Sequence, residues 1–350
     1  MRVCLANRVS VSSCVHRPRI PDVTSSIAQT ITAKLGRNTI SAAVSLVVLA
    51  VAGFTLYGLL REVDFAKVAT AIAAQPIKKI AAAGLFVICG YVTLTFYDVF
   101  ALRTIGWHKV PYSVAALASF TSSTIGHSLG AAVLTGGLIR LRIYSVWGLN
   151  VFDVAKIAFV TGMTFLLGNA VLLAVVTTYT PDAAATVDHL PAWLNRAIGL
   201  AGLFVIICYL IWLAPRPRAV GRSDWRLVLP SLRSTLVQIG IGTLDLSLVT
   251  CAMYVLLPPH PAVGFASVLI TFLTATMLGT VSHAPGGLGV IEATMLVGLP
   301  EFQREELLAA LLTFRVLYFV LPLLLATLSL GFRELRMLAQ PDSGRHNRTD

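Results

Sequence analysis

Between two apolar runs near the C-terminal end lies Ser282-His283-Ala284-Pro285-Gly286-Gly287-Leu288-Gly289-Val290-Ile291-Glu292. Proline and three glycines cannot continue a helix without cost. In lipid, every backbone N–H and C=O needs a partner, so an unwound segment at membrane depth persists only inside protein or beside water. This stretch therefore constrains the fold more than any other. A weaker copy, Thr135-Gly136-Gly137-Leu138-Ile139-Arg140, lies in the first half.

The surrounding composition makes the membrane the relevant solvent. Of 350 residues, 56% are hydrophobic and only 12% are charged. A soluble domain carries about 25% charged residues. The net charge of +11 fits cytoplasmic loops rich in Lys and Arg. No basic run interleaved with aromatics exists, so a nucleic-acid partner is not expected. The five cysteines (Cys4, Cys14, Cys89, Cys208, Cys251) form no C-x-x-C, and neither a redox pair nor a zinc knuckle is indicated. Residues 1–38 carry six Lys and Arg against Asp22 and read as a disordered basic cytoplasmic tail. They hold no apolar core for a signal peptide.

Eight segments approach the roughly 20 apolar residues that cross a bilayer: Ile40–Leu60, Ile80–Leu102, Tyr112–Leu134, Phe152–Tyr179, Ala197–Leu213, Arg233–Leu257, Val263–Ser282 and Leu307–Leu330. They form two sets of four. Gly136 and Gly286 are 150 residues apart, and Asp98 and Asp245 are 147 apart. Weak internal hydropathy symmetry of this kind is the sequence trace of transporter repeats.

Charge discriminates between two topologies. If all eight segments cross, Lys and Arg divide 12 inside against 11 outside. If the third and seventh turn back as re-entrant hairpins, the division becomes 18 inside against 5 outside. The positive-inside rule prefers the second arrangement. The expected fold is all-α and polytopic, with about six transmembrane helices and two re-entrant helical hairpins in two inverted-topology repeats. Eight full crossings is the alternative. The membrane domain spans about 39–331, with repeats at about 40–179 and 197–331, followed by a cytoplasmic tail, 332–350. Both termini are expected in the cytoplasm. Hairpin tips fall at the glycine pairs, with Gly126 and Gly279 as other break points.

The ionisable groups within these segments are the candidate site. Pro285, Gly286, Gly287 and Gly289 permit positive φ and close backbone approach. Glu292, one turn into the following helix, either caps its freed N–H groups or faces a polar cavity. Gly136 and Gly137 precede Arg140, which suits bidentate phosphate contact or simply adds cytoplasmic charge. Asp98, Asp245 and Arg315 lie inside apolar spans, where ionisable groups are rare and default to functional candidates. Asp98 is near enough to the membrane edge to snorkel. Arg315 either pairs with Asp245 or Glu292 or meets a ligand. His127 and His283 precede the two glycine pairs.

Several chemistries find no support. There is no G-x-x-x-x-G-K-[ST] and no H-E-x-x-H. Gly126-His127-Ser128-Leu129-Gly130 has nucleophile-elbow spacing without the strand–turn–helix context that the elbow needs. No metal, cofactor or catalytic constellation is expected.

The second motif, Pro285-Gly286-Gly287-Leu288-Gly289-Val290-x-Glu292 after a Thr/Ser-rich span, and the looser Gly136-Gly137-x-x-Arg140 resemble the membrane region of lysylphosphatidylglycerol synthases. The resemblance covers most of residues 40–330. In full-length synthases this region is regarded as a flippase for aminoacylated lipid, and a soluble C-terminal domain transfers lysine from its tRNA. This chain stops at Asp350, about 20 residues past its last span, so the resemblance implies lipid transport in a bacterial inner membrane. Arg140 is then expected at a phosphate, and Glu292 and Asp245 at a cationic or hydroxylated headgroup or a coupling proton. Two other readings remain. One is a membrane enzyme of lipid or polyprenyl-glycan synthesis. The other is a non-catalytic partner, as a homo-oligomer or docking a separately encoded transferase.

Overall fold

The computed structural model describes residues 70, 73, 75–129, 132–214, 219–220, 227–228, 231–282 and 284–339. The basic tail, the expected span Ile40–Leu60, Arg216, Arg218, Arg222, Arg226, His283 and residues 340–350 lie outside them. The described chain is an all-α polytopic membrane protein. Its helices are α1 (Ile77–Thr104), α2 (Tyr112–Leu129), α3 (Ala132–Tyr144), α4 (Val151–Tyr179), α5 (Pro181–Asp188), α6 (Ala192–Leu213), α7 (Leu232–Leu256), α8 (Phe265–Val281), α9 (Val290–Gly298), α10 (Arg304–Arg315) and α11 (Leu321–Ala339). Two two-residue strands, Ala219–Val220 and Leu227–Val228, pair antiparallel between α6 and α7.

Among the described residues five helices are long and apolar enough to cross a bilayer: α1, α4, α6, α7 and the α10–α11 rod, Arg304–Phe332. Their outer faces are apolar. On α1, Leu85, Ile88, Val92 and Phe96 are exposed at helical spacing, a stripe suited to acyl chains rather than water. Helix α6 exposes Phe204, Val205, Ile207 and Ile211, which places it at the periphery. Small residues let backbones close up inside the bundle. A Cβ on Gly168 of α4 would lie 2.5 Å from the Gly242 carbonyl carbon of α7. Gln238 of α7 donates to the Val160 carbonyl at 3.0 Å and to Thr164 Oγ1 at 2.9 Å.

The α10–α11 rod is continuous through a π turn, Val316–Val320. Pro322 follows and has no N–H to offer the Tyr318 carbonyl. Tyr91 of α1 supplies that donor from its hydroxyl, at 2.9 Å.

Contact pairs settle directions. Lys79 Nζ, near the start of α1, donates to the carbonyl of Leu257, at the end of α7 (2.9 Å). Tyr97, late in α1, bonds Asp245, midway along α7. The two helices are antiparallel, although they occupy equivalent places in the two halves, so the halves are inverted.

Both short-armed segments fold back. A Cβ on Gly136 of α3 would sit 3.1 Å from the Ser122 carbonyl oxygen of α2. That approach sets α3 back against α2, the two arms of a hairpin. In the second hairpin, Thr271 of α8 reaches the Gly298 carbonyl at the end of α9 (3.4 Å), and Gly279 packs on Gly287 and Ile291. The first hairpin follows the C-terminal end of α1, and the second follows the C-terminal end of α7. Because α1 and α7 are antiparallel, the hairpins enter from opposite faces. The turn Pro285–Gly287 at the second tip packs on α2. Leu288 joins the apolar cluster of Ala118, Ile125 and Leu323. Among the described residues the third segment of each half thus packs back on the arm that follows it, as the hairpin arrangement expects.

One expectation needs correcting. Gly136 and Gly137 do not interrupt a helix; they lie inside α3, which runs unbroken from Ala132 to Tyr144. The glycine at 136 serves close packing of the two arms. The break at Pro285–Gly289 is where it was expected.

Candidate functional site

Each hairpin is fastened to a spanning helix by a carboxylate–guanidinium pair. Asp98, fully buried on α1, accepts from Arg140 of α3. Arg140 Nε lies 3.1 and 3.0 Å from the two Asp98 oxygens, and Nη2 lies 2.8 Å from Oδ1. Tyr144, one turn after Arg140 and so on the same helix face, donates to Asp98 Oδ2 at 2.7 Å. A bidentate guanidinium and a phenol together satisfy the carboxylate without water. Asp98 does not snorkel.

The second pair rests on unwound backbone. Gly286 (φ 59°), Gly287 (φ 61°) and Gly289 (φ 77°) all adopt the left-handed region, which a side chain opposes. At Gly287 a Cβ would also strike the Ile291 side chain at 2.7 Å. Gly289 is the N-cap of α9, and its N–H donates to Glu292 Oε2 at 2.8 Å. The other Glu292 oxygen accepts from Arg315 at the end of α10. Arg315 Nη1 donates to the Gly286 carbonyl at 3.1 Å, and its guanidinium sits 5.7 Å from the Phe319 ring centre. Glu292 thus caps the helix and pairs with a cation at once. Arg315 pairs with Glu292, not with Asp245, and immediately precedes the π turn, a distortion common at functional sites.

Asp245 forms no ion pair among the described residues. It is buried on α7, and Tyr97 of α1 donates to its Oδ2 at 3.0 Å. Its Oδ1 has no hydrogen-bond partner among the described residues. Neighbouring residues 97 and 98 point to different partners, because successive helix positions face about 100° apart. Tyr97 serves Asp245 and Asp98 serves Arg140.

The structure thus joins Arg140 with Asp98, and Glu292 with Arg315, Gly286 and Gly289. His127 is exposed near the end of α2, hydrogen-bonded to neither pair but near enough to Arg140 to feel its charge. Residues that sequence reading passed over are Tyr97, Tyr144, Gln238 and Asn169. Tyr144 was findable as the i+4 neighbour of Arg140. Asn169, buried with both amide atoms unpartnered among the described residues, gave no signal within its apolar run. Among the described residues no group of three or more His, Cys, Asp or Glu converges as a metal site.

Opposed hairpins joined to an antiparallel pair of long apolar helices define the class: a polytopic all-α membrane protein. No protein-family model matches the chain. It is 32% identical over 264 residues to the uncharacterized protein slr0712 of Synechocystis, covering 75% of this chain and 82% of that one. It is 30% identical over 254 residues to the inner membrane protein YbhN of Escherichia coli, covering 71% and 77%. It is 25% identical over 283 residues to a phosphatidylglycerol lysyltransferase of Staphylococcus haemolyticus, spanning 78% of this chain but only 31% of that protein. The chain belongs to the family of YbhN-type multi-pass inner membrane proteins, which is related to the membrane region of the lysylphosphatidylglycerol synthases.

Proposed function

We propose that the protein is a lipid translocase of the bacterial inner membrane, with both termini in the cytoplasm. The carrying observation is the meeting of two opposed hairpins within the bundle, each held by an ion pair that a charged headgroup can exchange with. A phosphate entering beside α3 competes with Asp98 for the Arg140 guanidinium, whose planar fork fits either anion. A cationic or hydroxylated headgroup at the second tip competes with Arg315 for Glu292. Acyl chains remain in the bilayer along the exposed apolar stripes. Opening one hairpin and then the other exposes the headgroup path to each leaflet in turn. Kinship with phosphatidylglycerol lysyltransferases supports an anionic phospholipid or its aminoacylated form as the substrate class. It also supports a second reading, in which the chain is the membrane subunit of a lipid-modifying system.

The test is reconstitution into vesicles with fluorescent phosphatidylglycerol and a membrane-impermeant quencher. Glu292→Gln is expected to slow exchange between leaflets while the protein stays folded and monodisperse. Unchanged exchange in Glu292→Gln and in Arg140→Lys would remove both hairpins from the site.

A further inference from the structure

Of the five charged candidates that the sequence offers, four pair off: Asp98 with Arg140, and Glu292 with Arg315. Asp245 is left over, and the inverted repeat explains why. Asp98 and Asp245 lie on the equivalent helices α1 and α7, near the end of the first and midway along the second. In the first half the hairpin brings an arginine, Arg140, to its aspartate. The equivalent second-half position, 152 residues on, holds Glu292. A carboxylate there cannot neutralise Asp245, so Glu292 takes its cation from α10 instead.

Asp245 consequently has one phenol donor, an unpartnered Oδ1, and side-chain neighbours that bring no positive charge. The ionisable groups facing it are Tyr97 and Tyr91 from α1 and Tyr318 from the π turn. From α4, α6, α8 and α10 no ion pair or hydrogen bond to it is formed among the described residues. The α1 wall beside Oδ1 is bare: Gly90, two turns before Tyr97 on the same helix face, would bring an added Cβ to 3.8 Å from it. An isolated ionised carboxylate in an apolar interior is strongly disfavoured and neutralises instead. Intramembrane carboxylates without a cation recur as proton carriers.

We infer that Asp245 is a reversible proton-binding site and that its protonation drives the transport cycle of the translocase proposed above. The proton binds at Oδ1, and the carboxyl becomes neutral while Tyr97 keeps its bond to Oδ2. Loss of the proton leaves a buried charge between α1 and α7. The α1–α7 seam is also where the two inverted halves meet, so this charge acts on their relative movement. The inference rests on the transport reading for its role in the cycle, but not for the proton site itself.

Two measurements separate these. In nanodiscs of phosphatidylglycerol, infrared difference spectra across a pH titration are expected to show a protonated-carboxyl band in the full-length protein. The band should be lost in Asp245→Asn and kept in Asp98→Asn. Tyr97→Phe, which retains the carboxyl and removes its donor, should shift the band. In vesicles, an imposed pH gradient should change the rate of phosphatidylglycerol exchange by up to about tenfold per unit, the limit for one proton. Asp245→Asn should respond to no gradient. No carboxyl band lost in Asp245→Asn overturns the proton site. A band lost with exchange indifferent to pH, or dependent on a sodium gradient instead, overturns the coupling. A band lost with no lipid exchange under any gradient overturns the transport reading, and the coupling with it, while the proton site stands.

Discussion

Consider replacing Arg140 with methionine. The change removes three hydrogen bonds of 2.8 to 3.1 Å and leaves the Asp98 carboxylate, fully buried, with the Tyr144 hydroxyl alone. Removing one partner of a buried pair costs about 3–5 kcal/mol, because the surviving charge has lost its compensation. Replacing both partners by apolar residues of similar volume is commonly close to neutral. The Asp98→Leu/Arg140→Met double variant should therefore recover most of the lost stability, and Tyr144→Phe should cost about 1.5–3 kcal/mol, the value of a hydrogen bond to a charged group. The assay is reversible unfolding in mixed detergent micelles, followed by intrinsic fluorescence. Recovery in the double variant should come with a loss of lipid exchange, since no guanidinium remains for phosphate. Arg140→Met with wild-type stability would refute the reasoning. So would a double variant as unstable as the single one, because stability would then come from side-chain shape and not from charge pairing.

Three further predictions follow from the packing. Gly242→Ala places a methyl 2.4 Å from the Thr164 carbonyl oxygen; overpacking of this kind costs about 1–3 kcal/mol, read as a lower melting temperature, whereas Gly240→Ala, with open space around it, should be tolerated. Single cysteines at Val146, after the first hairpin, and at Leu190, after α4, should react with impermeant reagent from opposite faces of the membrane, and labelling of both from one face would break the topology. Gly287→Ala meets both a positive φ and the Ile291 side chain, so it should disrupt the second tip and slow lipid exchange more than Gly137→Ala, which lies in open helix.

Much of this architecture was written in the chain as periodic cost. Apolar runs long enough to cross a bilayer, a proline–glycine break that lipid will not tolerate unprotected, and a lysine–arginine imbalance sufficed for a polytopic all-α fold with two hairpins in inverted halves. These are local properties: each depends on a residue and its immediate neighbours in water or hydrocarbon. The position of the first turn was less legible, because Gly136-Gly137 signals weak helix propensity without saying whether the glycines bend a helix or let two helices touch. Only the packed arms decide that, through the Ser122 carbonyl beside Gly136. Partner choice was hidden altogether. Asp98, Asp245, Glu292, Arg140 and Arg315 were visible as charges in apolar segments, but which carboxylate meets which guanidinium is set by helix rotation and by contacts between residues 23 to 42 positions apart. Composition named the five charged candidates; tertiary packing paired four of them and left Asp245 over, because pairing is a matter of distances of about 3 Å, which a one-dimensional pattern does not carry.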